Sequence, residues 1–278
     1  MKQFFTKKNN NKDQISMAEF ISLISGSSGN SSLISDGKTN ILIDCGMSGK
    51  RLTELLGSIG IAPNRIDALL ITHEHIDHVR GAGIIARRYG IPIYATQGTH
   101  SAMEIGNVSD DIRHTVSADK SFEIGTIGIC PFSIPHDAAE PVGYSLFCGN
   151  TKFSLATDIG KMDEYIMDAI RGSEAVILES NHDVEMLKLG SYPFPLKQRI
   201  LSDYGHLSNE RASEAALELV KSGTRQLMLG HLSKENNRPE IALLETYNTL
   251  TQAGVEIGSD ATIRVADRYG ITRFGEIT

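Results

Sequence analysis

Ala68-Leu69-Leu70-Ile71-Thr72-His73-Glu74-His75-Ile76-Asp77-His78 decides how the rest of the chain is read. The apolar run at its start has the composition of a buried strand. Three imidazoles and an aspartate then fall within positions 73–78. A lone histidine on an apolar face reads as a satisfied core residue, but donors packed this densely read as metal ligands. Imidazole is the commonest metal-binding side chain, and a carboxylate beside it neutralises part of a dication's charge. The spacing suggests two ions. In a locally extended chain His73 and His75 point together, which leaves Asp77 and His78 to turn toward a second position.

A chain of 278 residues has room for a sizeable core, and 40% apolar with 22% charged residues is ordinary for a soluble globular protein. The formal charge of −7 argues against binding polyanions through bulk electrostatics. It leaves open a polyanion substrate at one cleft, where bound dications and a local basic rim dominate the field. Cys45, Cys130 and Cys148 are odd in number and lack CxxC pairing, so they read as thiols in a reducing compartment. No apolar stretch approaches the roughly 20 residues that span a bilayer, and no signal peptide stands at the start. The expectation is a cytoplasmic protein without membrane partners.

Residues 1–17, polar with an Asn-rich run, read as a loose tail, and 18–278 as a single domain. Strand-like runs lie at Phe20–Ile24, Ser32–Ser35, Asn40–Asp44, Ile66–Thr72, Thr126–Ile134, Gly143–Cys148, Lys152–Ala156, Ala175–Leu178, Gln226–Leu229 and Ala261–Ala266. Asp36-Gly37 and Gly149-Asn150 are hairpin turns. Helical patterns cover Gly49–Leu56, Gly81–Tyr89, Asn209–Lys221 and Leu243–Ala253. Hairpins followed by strands interleaved with helices, in each half, predict two packed sheets with helices outside.

Further donors follow apolar runs. Asp158 ends Ser154-Leu155-Ala156-Thr157, His136 follows Ile134-Pro135, and Gly205-His206-Leu207-Ser208 recurs as Gly230-His231-Leu232-Ser233. Alone, Asp158 is a cap or turn residue and His136 a polar loop residue. Beside the dense motif both become ligand candidates, because a dinuclear site needs about seven protein donors. Ser208 is a plausible N-cap for the helix after His206.

His73-Glu74-His75-Ile76-Asp77-His78 resembles the HxHxDH signature of the metallo-β-lactamase superfamily, and Asp44, His136, Asp158 and His231 fall in the order of its other motifs. Ser25–Ser31, His136–Tyr144, Glu179–Asp183, Gly205–Asn209 and Leu232–Pro239 are similar to the WalJ/YycJ subgroup, described as phosphodiesterases or DNA exonucleases. The resemblance implies an α/β fold, the four-layer αβ/βα sandwich with two mixed sheets and helices on the outer faces, without a large cap insertion. It implies His73, His75 and His136 on one metal, Asp77, His78 and His231 on the other, and Asp158 bridging. Asp44 then supports a ligand from behind. Zn²⁺, Mn²⁺ and Fe²⁺ all accept this donor set, with Zn or Mn expected.

Two such cations about 3.5–4 Å apart lower the pKa of a shared water and supply a nucleophile for phosphorus. Asp77 and Asp158 would orient it, and His206 would supply the leaving alkoxide's proton. His206 otherwise reads as a structural loop residue. His182 is either a substrate or supporting contact or merely part of a helix cap. Ser27-Ser28-Gly29-Asn30 is either a phosphate cradle, with Ser28 and Asn30 reaching the site, or a flexible turn. Arg80, Lys234 and Arg238 are rim cations or solvated charges. Leu187–Ser202, with Tyr192 and Phe194, is a lid, a nucleic-acid-facing loop that stacks bases, or a packed surface segment.

The first functional expectation is a dinuclear metal-dependent phosphodiesterase or DNA exonuclease. The alternative is a small-molecule metallo-hydrolase, such as a thioesterase, lactonase, lactamase or cyclic phosphodiesterase, which the acidic charge and the short interval from Asp158 to His231 favour. A catalytically silent scaffold is disfavoured because every ligand position is filled.

Overall fold

A computed structural model describes residues 18–274; the tail expected at 1–17 lies outside them. The strands in chain order are β1 (Glu19–Ile24), β2 (Ser31–Ser35), β3 (Asn40–Ile43), β4 (Ala68–Leu70), β5 (Ile93–Thr96), β6 (Arg113–Val116), β7 (Phe122–Ile124), β8 (Ile127–Ser133), β9 (Val142–Cys148), β10 (Thr151–Ala156), β11 (Ala175–Glu179), β12 (Gln226–Gly230), β13 (Thr262–Val265) and β14 (Thr272–Arg273). The helices are α1 (Gly49–Ser58), α2 (Ile76–Val79), α3 (Ala82–Tyr89), α4 (Gln97–Ala102), α5 (Glu164–Ile170), α6 (Val184–Leu189), α7 (Phe194–Ile200), α8 (Asn209–Lys221) and α9 (Pro239–Gln252).

The strands form two mixed sheets, ordered β14-β1-β2-β3-β4-β5-β6 and β13-β12-β11-β10-β9-β8-β7. In the first, β1 to β3 pair antiparallel and β3 to β6 parallel. In the second, β10 to β13 are parallel and β7 to β10 antiparallel. Alternation along each strand feeds two cores. Ile41 and Ile43 of β3 face the other sheet, meeting Ile129, Tyr144, Leu155 and Ile177, while Leu42 faces Leu52, Leu56 and Ile85 under α1 and α3. On the far side Val176 and Leu178 of β11 meet Ile166, Ala216 and Leu219 of α5 and α8. Each such aliphatic chain removed from water contributes roughly 1.5–3 kcal/mol. The result is the four-layer αβ/βα sandwich.

The expected hairpins close as β2–β3 around Asp36-Gly37 and β9–β10 around Gly149-Asn150. Ser208 caps α8, its hydroxyl accepting from Arg211 N at 3.3 Å. Differences concern short elements. The strand expected over Ile66–Thr72 is only Ala68–Leu70, because Thr72 turns out of the ladder and its N–H goes to Asp44 Oδ1. The last long helix starts at Pro239, ahead of the expected Leu243, since proline suits the first helical turn. Strands β5 and β6 carried no expectation: β5 has four residues behind Pro92, and edge strand β6 exposes His114 and Thr115, so neither shows periodicity.

Candidate metal centre

Chain direction within the sheets places the donors. Asp44 follows β3, His73 follows β4, His136 follows β8, Asp158 follows β10 and His231 follows β12, so the ends of both sheets deliver them to one edge. Asp44, Asp158 and His231 each adopt left-handed backbone, with φ of 59°, 60° and 54°. Such conformations cost a non-glycine residue on the order of 1 kcal/mol or more and persist only where the surroundings fix them. The histidine motif changes conformation at His75, which is extended and precedes the short helix α2. That switch turns Asp77 and His78 toward His231, while the His78 ring stays 4.1 Å from that of His73.

His73, His75 and His136 form one donor group and Asp77, His78 and His231 another; His73, His78 and Asp158 form a third and Asp158, Glu179, His206 and His231 a fourth, with donor atoms of each group within 4.8 Å of one another. His73 Nε2 lies 3.0 Å from His75 Nδ1, which lies 3.3 Å from His136 Nε2. Asp158 stands between the first two groups, with Oδ2 at 3.4 Å from His78 Nε2 and Oδ1 at 3.8 Å from His136 Nε2. The donors fit divalent-metal binding. Three imidazole nitrogens converge at contact distance, and the buried Asp158 Oδ2 accepts no hydrogen bond among the described residues. Burial also lowers the pKa of His73 and His136, keeping them in the neutral, ligating form.

Supporting contacts hold the rings. Asp44 Oδ2 accepts from His78 Nδ1 at 2.8 Å, and Asp44 also takes the N–H and hydroxyl of Thr72. Burial opposes charge on His78, yet Asp158, Asp44 and Asp77 around it raise its pKa to about 9. Asp77 is held well below the carboxylate range; burial would raise it, and His78 and His231 overrule burial. His136 donates through Nδ1 to Gly205 O at 3.2 Å. Across the sheets, Tyr144 OH donates to Ile71 O at 2.8 Å, fixing the motif to β9.

Glu179, quoted above only within a stretch of resemblance, is the residue whose role the sequence did not reveal. Fully buried at the end of β11, its Oε1 accepts from His206 Nδ1 at 2.8 Å and His231 Nδ1 at 2.9 Å. Its Oε2 accepts from Ile159 N at 2.7 Å and Leu207 N at 3.1 Å. Burial would raise its pKa, but the two histidines press it far below the ordinary range. With both oxygens committed, Glu179 is a clamp on His206 and His231. The available signal was position: like Asp158 and His231, it ends an apolar strand.

His206 keeps 21% of its side chain exposed, with Nδ1 3.9 Å from Asp158 Oδ1. His182 is buried among the same segments, but neither ring nitrogen has a hydrogen-bond partner among the described residues, and burial pushes it down to about 4. Ser28 is exposed and makes no hydrogen bond to the cluster among the described residues, whereas Asn30 is buried with Nδ2 3.3 Å from Asp77 Oδ2. Leu187–Ser202 forms the end of α6 and all of α7, held beside the site by the Arg199–Asp137 ion pair. Phe194 there is 72% exposed.

Residues 39–232 match the family described as Beta-lactamase superfamily domain. The chain belongs to the metallo-β-lactamase superfamily. Within it the chain is 43% identical over 242 residues to the exodeoxyribonuclease WalJ of Streptococcus pneumoniae serotype 2, covering 86% of this chain and 90% of that one. It is 38% identical over 250 residues to the exodeoxyribonuclease YycJ of Bacillus anthracis, covering 89% and 95%. This superfamily member is therefore WalJ/YycJ-like. The fold is shared with the metallo-β-lactamase fold protein YhfI of Bacillus subtilis, at TM-score 0.65 and 16% identity over 92% of this chain and all of that one. Superfamily membership together with the histidine–aspartate cluster establishes a divalent-metal-binding hydrolase. No helix among the described residues is long and apolar enough to cross a membrane.

Proposed function

We propose that this protein is an exodeoxyribonuclease, a phosphodiesterase that uses two divalent ions, Zn or Mn, to cleave nucleotides from DNA. His73, His75 and His136 would hold one ion, Asp77, His78 and His231 the other, and Asp158 both. Such a pair supplies Lewis acidity and an activated water. The remaining work falls to the chain. Asp77 and Asp158 accept hydrogen bonds from the attacking water and orient it toward phosphorus. Asp44 and Glu179 fix the ring orientation of His78 and His231 from behind.

The observation that carries the reading is the exposed edge of His206 beside Asp158, with its Nδ1 against Glu179. Glu179 accepts from Nδ1 and so fixes the ring, and in this role Nε2 supplies the proton to the departing alkoxide. The identity to two exodeoxyribonucleases over nearly the whole chain supports a DNA substrate, and the exposed Phe194 ring on α7 offers a surface for stacking an unpaired base.

A proton donor matters for a sugar alkoxide and little for a leaving group that departs as a stable anion. His206→Ala is therefore expected to lose DNA cleavage by on the order of 100-fold or more, while hydrolysis of bis-p-nitrophenyl phosphate and metal content are retained. Equal loss on both substrates would remove His206 from the role. Wild-type activity on the chromogenic diester with none on DNA would replace the nuclease by a small-molecule hydrolase.

A further inference from the structure

The turn between β1 and β2 touches one donor group and spares the other. Asn30 Oδ1 accepts from Gly26 N at 2.9 Å and lies 3.4 Å from Ser25 Oγ, which sets the amide's orientation. Its Nδ2 then faces Asp77 Oδ2 at 3.3 Å and His78 Nε2 at 3.1 Å. With His78 Nδ1 donating to Asp44, the neutral, ligating form of the ring presents the lone pair of Nε2 on that side. Ser25 Oγ accepts from His231 N at 2.8 Å, so the same turn also holds the third donor of this group. The backbone joins in, with Asn30 N donating to Asp77 O at 2.8 Å and Gly46 N to Asn30 O at 2.8 Å. A Cβ on Gly46 would stand 1.6 Å from Asp77 O, so only glycine allows this approach. Among the described residues, no hydrogen bond from Ser25 or Asn30 reaches His73, His75 or His136.

We infer that Asn30 is a positioning residue for the metal held by Asp77, His78 and His231, and that the Ser25–Asn30 turn sets the affinity of that position separately from the other. The donation from Nδ2 to Asp77 Oδ2 fixes the carboxylate rotamer, and that same oxygen lies 3.4 Å from His231 Nε2 and 3.6 Å from His78 Nε2, on the side of the metal position. The contact to His78 Nε2 satisfies that lone pair until an ion takes it. Asn30 touches neither water nor substrate in this role. This inference rests on the two-metal reading above.

The test is metal stoichiometry and affinity, measured by equilibrium dialysis with elemental analysis and by Co²⁺ absorption titration. Variants are Asn30→Ala, which removes the amide, and Asn30→Ser, whose hydroxyl keeps a partner for Gly26 N but is too short to reach Asp77. In both, one ion is expected to bind as in wild type and the second about 10–100-fold more weakly, with excess metal restoring occupancy. Two ions at wild-type affinity, or equal weakening at both positions, would overturn the inference. So would failure of both variants to reach the wild-type circular dichroism spectrum, because the turn would then be scaffold only. A wild-type protein that binds fewer than two ions would instead defeat the two-metal reading itself.

Discussion

Glu179→Gln is the most informative single perturbation, because the side chain keeps its shape while losing half of its acceptors. The carboxylate takes two histidine N–H groups on Oε1 and two backbone N–H groups on Oε2. A glutamine amide must turn its NH₂ toward one of these pairs, so two donors lose their acceptor whichever rotamer forms. Hydrogen bonds involving a charged group contribute about 1.5–3 kcal/mol each, which puts the total cost at roughly 3–6 kcal/mol. If the amide retains the backbone pair, the histidines bear the cost. His231 then loses its fixed tautomer and His206 the acceptor for its Nδ1. The expected result is a fall of at least about 100-fold in turnover, a weaker second metal, and a modest change in urea midpoint. If the histidine pair is retained, Ile159 and Leu207 bear it and the midpoint falls while residual activity survives. Urea unfolding, chelator competition and turnover on DNA separate these outcomes. Wild-type values in all three would refute the clamp.

Three further outcomes are expected. Asp44→Asn removes one acceptor of the pair that orients Thr72 and His78, so chelator competition should show metal at His78 weakened about 10–100-fold. Phe194→Ala should weaken single-stranded DNA binding roughly 5- to 150-fold, the equivalent of one lost base stack, and leave chromogenic turnover unchanged; fluorescence titration measures it. Lys152 donates to Ala169 O and Arg171 O behind α5, and burial depresses its pKa to about 8 from the usual 10.5. Below pH 8 both folded and unfolded chains carry the proton, and the folded state bears the whole desolvation penalty. Above pH 8 the folded chain releases it while the unfolded chain still holds it, so stability rises with pH toward 10.5. Lys152→Met should flatten that rise in urea titrations, and an unchanged slope would exclude the assignment.

Much of the site was legible along the chain because its donors sit in a dense local motif or directly behind apolar runs. His73, His75, Asp77 and His78 stood out as candidates by spacing, and Asp158 and His231 became candidates only beside that motif and through the family resemblance. Glu179 was different. A single glutamate ending a strand gives no sign that its carboxylate will meet His206 and His231, 27 and 52 positions later. Ser25 was equally silent, since its partner His231 N lies 206 positions away. The short helix α7 escaped because seven residues carry too little periodicity to stand out.

Alternation and motif density are properties of neighbouring residues, so the primary structure alone determined that this chain builds strands, that hairpins open it, and that ligand-type residues follow its apolar runs. Which ends meet is another matter. It depends on the order β3-β4-β5 in one sheet and β12-β11-β10 in the other, and on Tyr144 binding one sheet to the other. Those pairings are long-range, and each is favourable only once the shared core between the sheets has formed. The convergence of two donor groups on Asp158, and the capture of two histidines by one buried glutamate, were therefore decided by tertiary structure.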